Sequence, residues 1–293
     1  MKADGKEERM KVLISADMDG TCGVVSWVQV MPPEYVGAGQ MSSTVEYERA
    51  RMRMTREVNA AVEGALAAGA DEVIVNESHD GMRNLIPEEL HPDIHFINGS
   101  DKQFSMMQGI DEDDVGAVFF TGYHARAGTP AAPLAHSFTG WVQDIRVDGT
   151  AMGEYGINAL VAGHYGVPVA LVTGDDKAVS QTRELLGNEV VGVEVKKGYS
   201  TTSGIHLHPT RAQEMIRDGA EQAIKNLASM TPYVLPSGAT VEVELDHQSK
   251  ADAAERIPTV ERSGWRTCSF QPADAAELMV VFRAILTAAG TQR

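Results

Sequence analysis

The sequence predicts an α/β protein: a mainly parallel sheet with helices on both faces, followed by a smaller α+β C-terminal part. Three observations predict it. Short apolar runs alternate with stretches of helical periodicity along most of the chain, the rhythm of strand-helix-strand units. Several of those runs are continuously apolar, as expected of strands covered on both sides. The polar residues of chemical interest fall just after the strands, and open α/β sheets bind ligands at that carboxyl edge.

KVLISAD (11–17) is the first strand. The helix over 45–70 follows, with Val58, Val62, Ala65 and Leu66 at helical spacing and Gly69 as its stop. DEVIVNES (71–78), IHFING (94–99) and GAVFFTGYH (116–124) are the next strands. SFTGWVQDIRVDG (137–149) alternates and ends in Asp-Gly, a hairpin signal. GINALVAGHYG (156–166) is helical, VPVALVTGD (167–175) is a buried strand, and 176–187 is helical. After the strand VVGVEVKKG comes a helix over 209–228 with proline in its first turn. Two strand stretches, TVEVELD and TVERSGWRTCSFQ, and the helix ADAAELMVVFRAILTAAG complete the chain. These elements give a disordered lead-in at 1–10, an α/β metal-binding catalytic domain at 11–190 and an α+β subdomain at 191–293.

Composition narrows the function classes. The 293 residues carry a net charge of −16, with lysines and arginines scattered. Such a chain repels polyanions, so no nucleic-acid partner is expected. No apolar run is long enough to span a membrane. The opening MKADGKEERM is charged and lacks the apolar core of a secretory signal, so a cytoplasmic location is expected. Cys22 and Cys268 stand outside any metal-ligand spacing and are expected to be reduced thiols.

The stretch VLISADMDGT poses the main choice. DMDGT matches the first motif of haloacid-dehalogenase-like magnesium phosphatases, in which Asp17 would be the nucleophile. Thr121 after a strand and the Asp175–Asp176 pair resemble that family's later motifs. Against this, no lysine lies between Thr121 and Asp175 to hold a phosphate. That chemistry also has no use for His79, His124, His136 or Glu154. A metal-site reading uses them. Residues i and i+2 of an extended segment point to one side, so Asp17 and Asp19 can face one site. Histidines and a further carboxylate at strand and helix ends make a mixed N/O set suited to zinc, manganese or cobalt. The ligands are too numerous for one tetrahedral ion and suit two ions sharing a bridging carboxylate.

The segments SADMDGTCG, VNESHDGMRNL, GYHARAGTP, AHSF and MGEYGINALVAGHYGVPVALVTGDD resemble, in order and spacing, the motifs of the zinc-dependent D-aminopeptidases encoded with dipeptide-transport operons. The resemblance runs from about residue 11 to about 200. It implies a metallopeptidase acting on short peptides, with D-residues at their amino termini, and two zinc ions per chain. It implies metal ligands at Asp17, Asp19, His79, His124 and Glu154, with Asp17 bridging. Asp19 and Glu154 would complete one site, and His79 and His124 the other. His136 takes the place of the catalytic histidine. A ring-like homo-oligomer, a decamer, is implied in the same way. One departure stands out: the family carries Glu where this chain has Asp19, an arm shorter by roughly 1.5 Å. The shorter arm keeps open a third reading, an inactive metal- or peptide-binding homologue.

Overall fold

The computed structural model describes residues 9–33 and 43–292; most of the expected lead-in lies outside them. In chain order the elements are β1 (Lys11–Ala16), α1 (Trp27–Val30), α2 (Thr44–Ala67), β2 (Glu72–Glu77), β3 (His95–Ile97), β4 (Val115–Tyr123), β5 (Val142–Val147) and β6 (Thr150–Ala151). Then follow α3 (Glu154–His164), β7 (Val169–Asp175), α4 (Asp176–Leu186), β8 (Val191–Ser200), β9 (Ser203–His206) and α5 (Pro209–Lys225). The chain closes with β10 (Val241–Leu245), α6 (Gln248–Ala254), β11 (Glu261–Arg262), β12 (Thr267–Phe270) and α7 (Ala275–Gly290).

A seven-stranded sheet runs in the order β3-β2-β1-β4-β7-β8-β9. Every pairing in it is parallel except β8 with β9. The period of two along β1 decides which side chain goes where. Val12 and Ile14 enter one core with Val58, Val62 and Ala65 of α2 and Ile216 and Ala220 of α5. Leu13 enters the other, with Ile157, Leu160 and Val161 of α3. Both faces are therefore covered, which is why the parallel strands read as unbroken apolar runs. Gly64 lets α2 and α5 touch, because a Cβ there would sit 2.2 Å from the Arg217 carbonyl oxygen.

The second sheet is antiparallel, in the order β11-β12-β10-β5-β6. Its inward residues Ile145, Val243 and Phe270 share a core with Phe282 and Ile285 of α7 and with α3. The Asp148–Gly149 turn joins β5 to β6, as the alternating pattern predicted. Chain order does not separate the two sheets. The β8–β9 hairpin, beyond residue 190, extends the first sheet, and the β5–β6 hairpin, before it, belongs to the second. Sequence rhythm reports local structure, whereas this exchange is settled by long-range pairing.

The strand order reverses between β1 and β4. Such a switch point leaves a crevice between the loops that leave the two strands.

Candidate metal centre

The loop after β1 is held against the end of β4. Asp17 N–H donates to the Thr121 carbonyl at 2.9 Å and Gly20 N–H to that of Gly122 at 2.7 Å. The approach is close enough to require glycine at 20, where a Cβ would lie 1.8 Å from the Tyr123 carbonyl oxygen. Asp17 and Asp19 thus point into the crevice, both buried. His79 enters from the end of β2 and His124 from the end of β4. Glu154 is the first residue of α3, and its Oε1 accepts the Phe138 N–H at 2.7 Å.

The five side chains converge. His79 Nδ1 lies 3.0 Å from Asp17 Oδ1 and 3.4 Å from Asp19 Oδ2. His124 Nε2 lies 3.4 Å from Asp17 Oδ2 and 3.3 Å from Glu154 Oε1. Two three-residue groups could each hold a cation: Asp17 with Asp19 and His79, and Asp17 with His124 and Glu154. Asp17 is common to both. The partition differs from that expected, since Asp19 pairs with His79 and Glu154 with His124. Each group therefore mixes one imidazole with carboxylates, because each imidazole meets the carboxylate that its own strand end faces.

His136 joins the rim of this cluster. Its ring stacks on His124 with centroids 4.1 Å apart, and the edge of Trp27 meets it at 5.2 Å. Its Nδ1–H donates to the Leu134 carbonyl at 2.8 Å. Nε2 then faces the cavity, 3.8 Å from both Asp19 Oδ2 and Glu154 Oε1. A further potential group, Asp19 with His124 and His136, overlaps the other two.

Three observations fit the donor set to cations. Asp17 Oδ2, Asp19 Oδ1 and His124 Nε2 are buried without a hydrogen-bond partner, a costly state for native protein groups. Both ring nitrogens of His79 and of His124 face acceptors. His79 Nε2 is 3.0 Å from the Val30 carbonyl, and His124 Nδ1 is 3.0 Å from that of Ala125. Each ring must therefore carry a surplus proton or have a cation in front of its inward nitrogen. The backbone carbonyls fix the tautomer that leaves that nitrogen free to ligate.

The electrostatics agree. Burial depresses His79, but the carboxylates of Asp19 and Asp17 overcome it and raise the imidazole well above its ordinary range. Burial likewise opposes the charge on His124, yet Glu154 and Asp17 push it up to about 10. Burial would raise Asp19, but the charge of His79 and its hydrogen bond hold it well below the usual carboxylate range. Burial also raises Asp17, and there it prevails over the His79 hydrogen bond. His136 shifts the other way: burial and the neighbouring His124 both push it down.

A cavity of about 1120 Å³ opens over the cluster. Asp17, Asp19, His79, His136 and Glu154 line it, as do Trp27, Phe138 and Arg283. Asn158 does not reach it; it is buried, donating to the Tyr123 hydroxyl at 2.9 Å. Asp175, the magnesium ligand of a phosphatase reading, is spent on backbone. Oδ1 caps α4 through the Lys177 and Ala178 N–H groups, and Oδ2 accepts the Ala125 N–H at 3.0 Å, beside His124. His208 caps α5, and His206 Nδ1 accepts the Gly23 N–H at 3.0 Å.

Sequence reasoning missed Lys196. Its buried Nζ donates to the carbonyls of Asp19, Thr21 and Val24, the last at 2.7 Å. It holds the loop that carries Asp19. A lysine in a strand 175 residues away, bonded only to carbonyls of that loop, leaves no motif.

A doubly wound sheet whose switch point gathers two cation nests around one shared aspartate defines a metal-dependent hydrolase. The D-aminopeptidase family profile matches residues 10–284. The D-aminopeptidase of Bacillus subtilis (strain 168) is 36% identical over 270 residues, covering 92% of this chain and 93% of the relative. The solved structure of the Zn-dependent D-aminopeptidase DppA from Bacillus subtilis, described as a self-compartmentalizing protease, superposes with a TM-score of 0.88 at 33% identity. The match covers 96% of this chain and 98% of that one. This chain belongs to the D-aminopeptidase family and is a metallopeptidase, and the likeness favours neither a phosphatase nor an inactive binding homologue.

Proposed function

We propose that the chain removes amino-terminal D-residues from short peptides, using two zinc ions held by Asp17, Asp19, His79, His124 and Glu154. The observation that carries this is the pair of ligand groups sharing Asp17, with its unpartnered buried atoms. When bound, such ions polarise a scissile carbonyl and activate water. The chain's own residues supply the rest. Asp17 serves both groups. Asp80, on the cavity wall and outside the ligand set, is the carboxylate placed to attract the substrate ammonium. His136 moves protons. Its Nδ1–H is engaged, and its low basicity keeps Nε2 unprotonated near neutral pH. It can then take a proton from the attacking water and pass it to the departing amine. Asp19 reaches the cluster with its short arm, and Lys196 holds its backbone carbonyl.

The similar Bacillus subtilis structure, a self-compartmentalizing protease, supports a closed ring of subunits with the cavities facing inward, and a decamer is the size we propose. Among the described residues no helix is long and apolar enough to cross a membrane. Cys22 and Cys268 are buried free thiols, in keeping with work in the reducing cytoplasm.

The test is to purify the protein, measure bound zinc, and assay D-alanyl and L-alanyl anilides beside an aryl phosphate. Release of the D-residue, lost on chelation and in Asp17→Asn and restored to the wild type by zinc, is the expected result. Magnesium-dependent phosphate release, or turnover that survives both treatments, refutes the proposal.

A further inference from the structure

Among the described residues the cavity lining mixes acidic, imidazole and apolar groups with a single arginine. Carboxylates and histidines crowd one wall. Arg283, on α7, is the sole arginine or lysine among the described lining residues. Its guanidinium offers five N–H donors. Nη1 donates to Ser105 Oγ at 3.0 Å and Nη2 to the Ser100 carbonyl at 3.1 Å, which leaves three. Among the described residues no carboxylate lies within ion-pair distance of it. A cation on the wall of a half-enclosed cavity, unpaired and held by neutral acceptors, is presented for an anion.

Two routes of contact fix it relative to the metal centre. Phe282, its neighbour, packs edge-on against Phe138 at 4.8 Å, and the Phe138 N–H holds Glu154. On the other side Ser105 precedes Met106, whose carbonyl accepts the Ser78 hydroxyl at 3.3 Å, one residue from His79. These contacts tie the segments that carry Arg283 and Ser105 to those that carry Glu154 and His79.

We infer that Arg283 binds the C-terminal carboxylate of the substrate, which makes the enzyme selective for short peptides with a free carboxyl end. The inference rests on the reading of this cavity as a peptide-hydrolysing centre. A free short peptide carries an ammonium at one end and a carboxylate at the other, and Asp80 and Arg283 on the cavity lining offer a partner to each. Its size agrees: a sphere of 1120 Å³ is roughly 13 Å across, room for about three to four extended residues. The planar guanidinium can donate paired N–H bonds to the two oxygens of a carboxylate, which an amide-blocked end cannot accept in the same way.

The test uses an uncleavable tripeptide whose scissile carbonyl is reduced to methylene, supplied as the free acid and as the C-terminal amide. Calorimetry with the zinc-loaded protein should give the free acid about ten- to hundredfold tighter binding, the value of one charge-assisted hydrogen bond. Arg283→Met should erase that preference by weakening the free acid while leaving the amide unchanged. Arg283→Lys should restore part of it. Loss of affinity for both ligands alike in Arg283→Met overturns the inference, because that is the signature of a structural role. So do equal affinities in the wild type. The ligand is not turned over, so the two readings separate. Absent peptide hydrolysis with the free-acid preference intact supports the subsite and refutes only the hydrolytic reading.

Discussion

Lys196 offers the sharpest test of how the site is built. The substitution Lys196→Met keeps the length of the arm and removes the ammonium. In the native protein that ammonium is buried, with its bonds to the Val24 and Asp19 carbonyls short and that to Thr21 at 3.4 Å. Losing two charge-assisted bonds costs about 3–6 kcal/mol. Part returns because an ammonium no longer has to be desolvated, leaving a net loss of about 4 kcal/mol, within the range for breaking a buried charge network. At roughly 2–4 °C per kcal/mol the melting temperature falls by about 10 °C. The carbonyl of Asp19 is among those released, so zinc affinity also falls, by about tenfold. Thermal unfolding of the metal-free protein and calorimetric zinc titration measure the two effects. Adding Glu57→Gln should recover some stability, since the buried Glu57 carboxylate loses the nearby cation in the single variant. A Lys196→Met protein that unfolds within about 1 kcal/mol of wild type and binds zinc with unchanged affinity would refute the reasoning.

Other expectations follow from the same geometry. The elevated basicity of His79 and His124 means both are protonated in the metal-free protein at neutral pH; zinc binding should release about two protons, seen in buffers of different ionisation enthalpy, and tighten with rising pH. With folded-state values above the unfolded value of about 6.5, these histidines stabilise the metal-free fold below pH ~6.5. For His124 that contribution is lost as pH climbs through about 10, so the metal-free protein should melt earlier at high pH. Burial raises the Glu57 carboxyl to about 7 despite the Cys22 N–H bond and Lys196. Its stabilising contribution is therefore complete below pH ~4.5 and disappears as pH rises to 7, a change of roughly 3 kcal/mol that Glu57→Gln should flatten in urea titrations. His136→Gln should retain both zinc ions while turnover falls about 10²–10⁴-fold; loss of zinc would instead make His136 a ligand.

Much of the fold and of the site was legible in the chain itself. A buried parallel strand has to be apolar throughout and has to end before its polar loop, so Asp17, His79 and His124 announce themselves as polar residues at strand ends. Glu154 is visible for a related reason, as an acid opening a helix. What pairs with what was hidden. The exchange of hairpins between the sheets depends on pairings such as Val241 with Val147, far apart in sequence. The grouping of Asp19 with His79 depends on which strand neighbours β1, a property of the assembled sheet. Lys196 and Arg283 were invisible because they act on backbone carbonyls and an open cavity, which impose no spacing.

The position of α7 has a consequence for synthesis. The residues proposed to hold the cations are all made by position 154, and the sheet that carries them is complete soon after 200. Phe282, Arg283, Leu286 and Thr287 leave the ribosome far later, and the last three line one side of the cavity. A nascent chain can thus assemble its metal-binding loops early, yet it faces the cell with an unwalled basin. The half-enclosed cavity gains the wall that carries Arg283 only once α7 has docked, so assembly of the loops around the cluster precedes completion of the substrate basin.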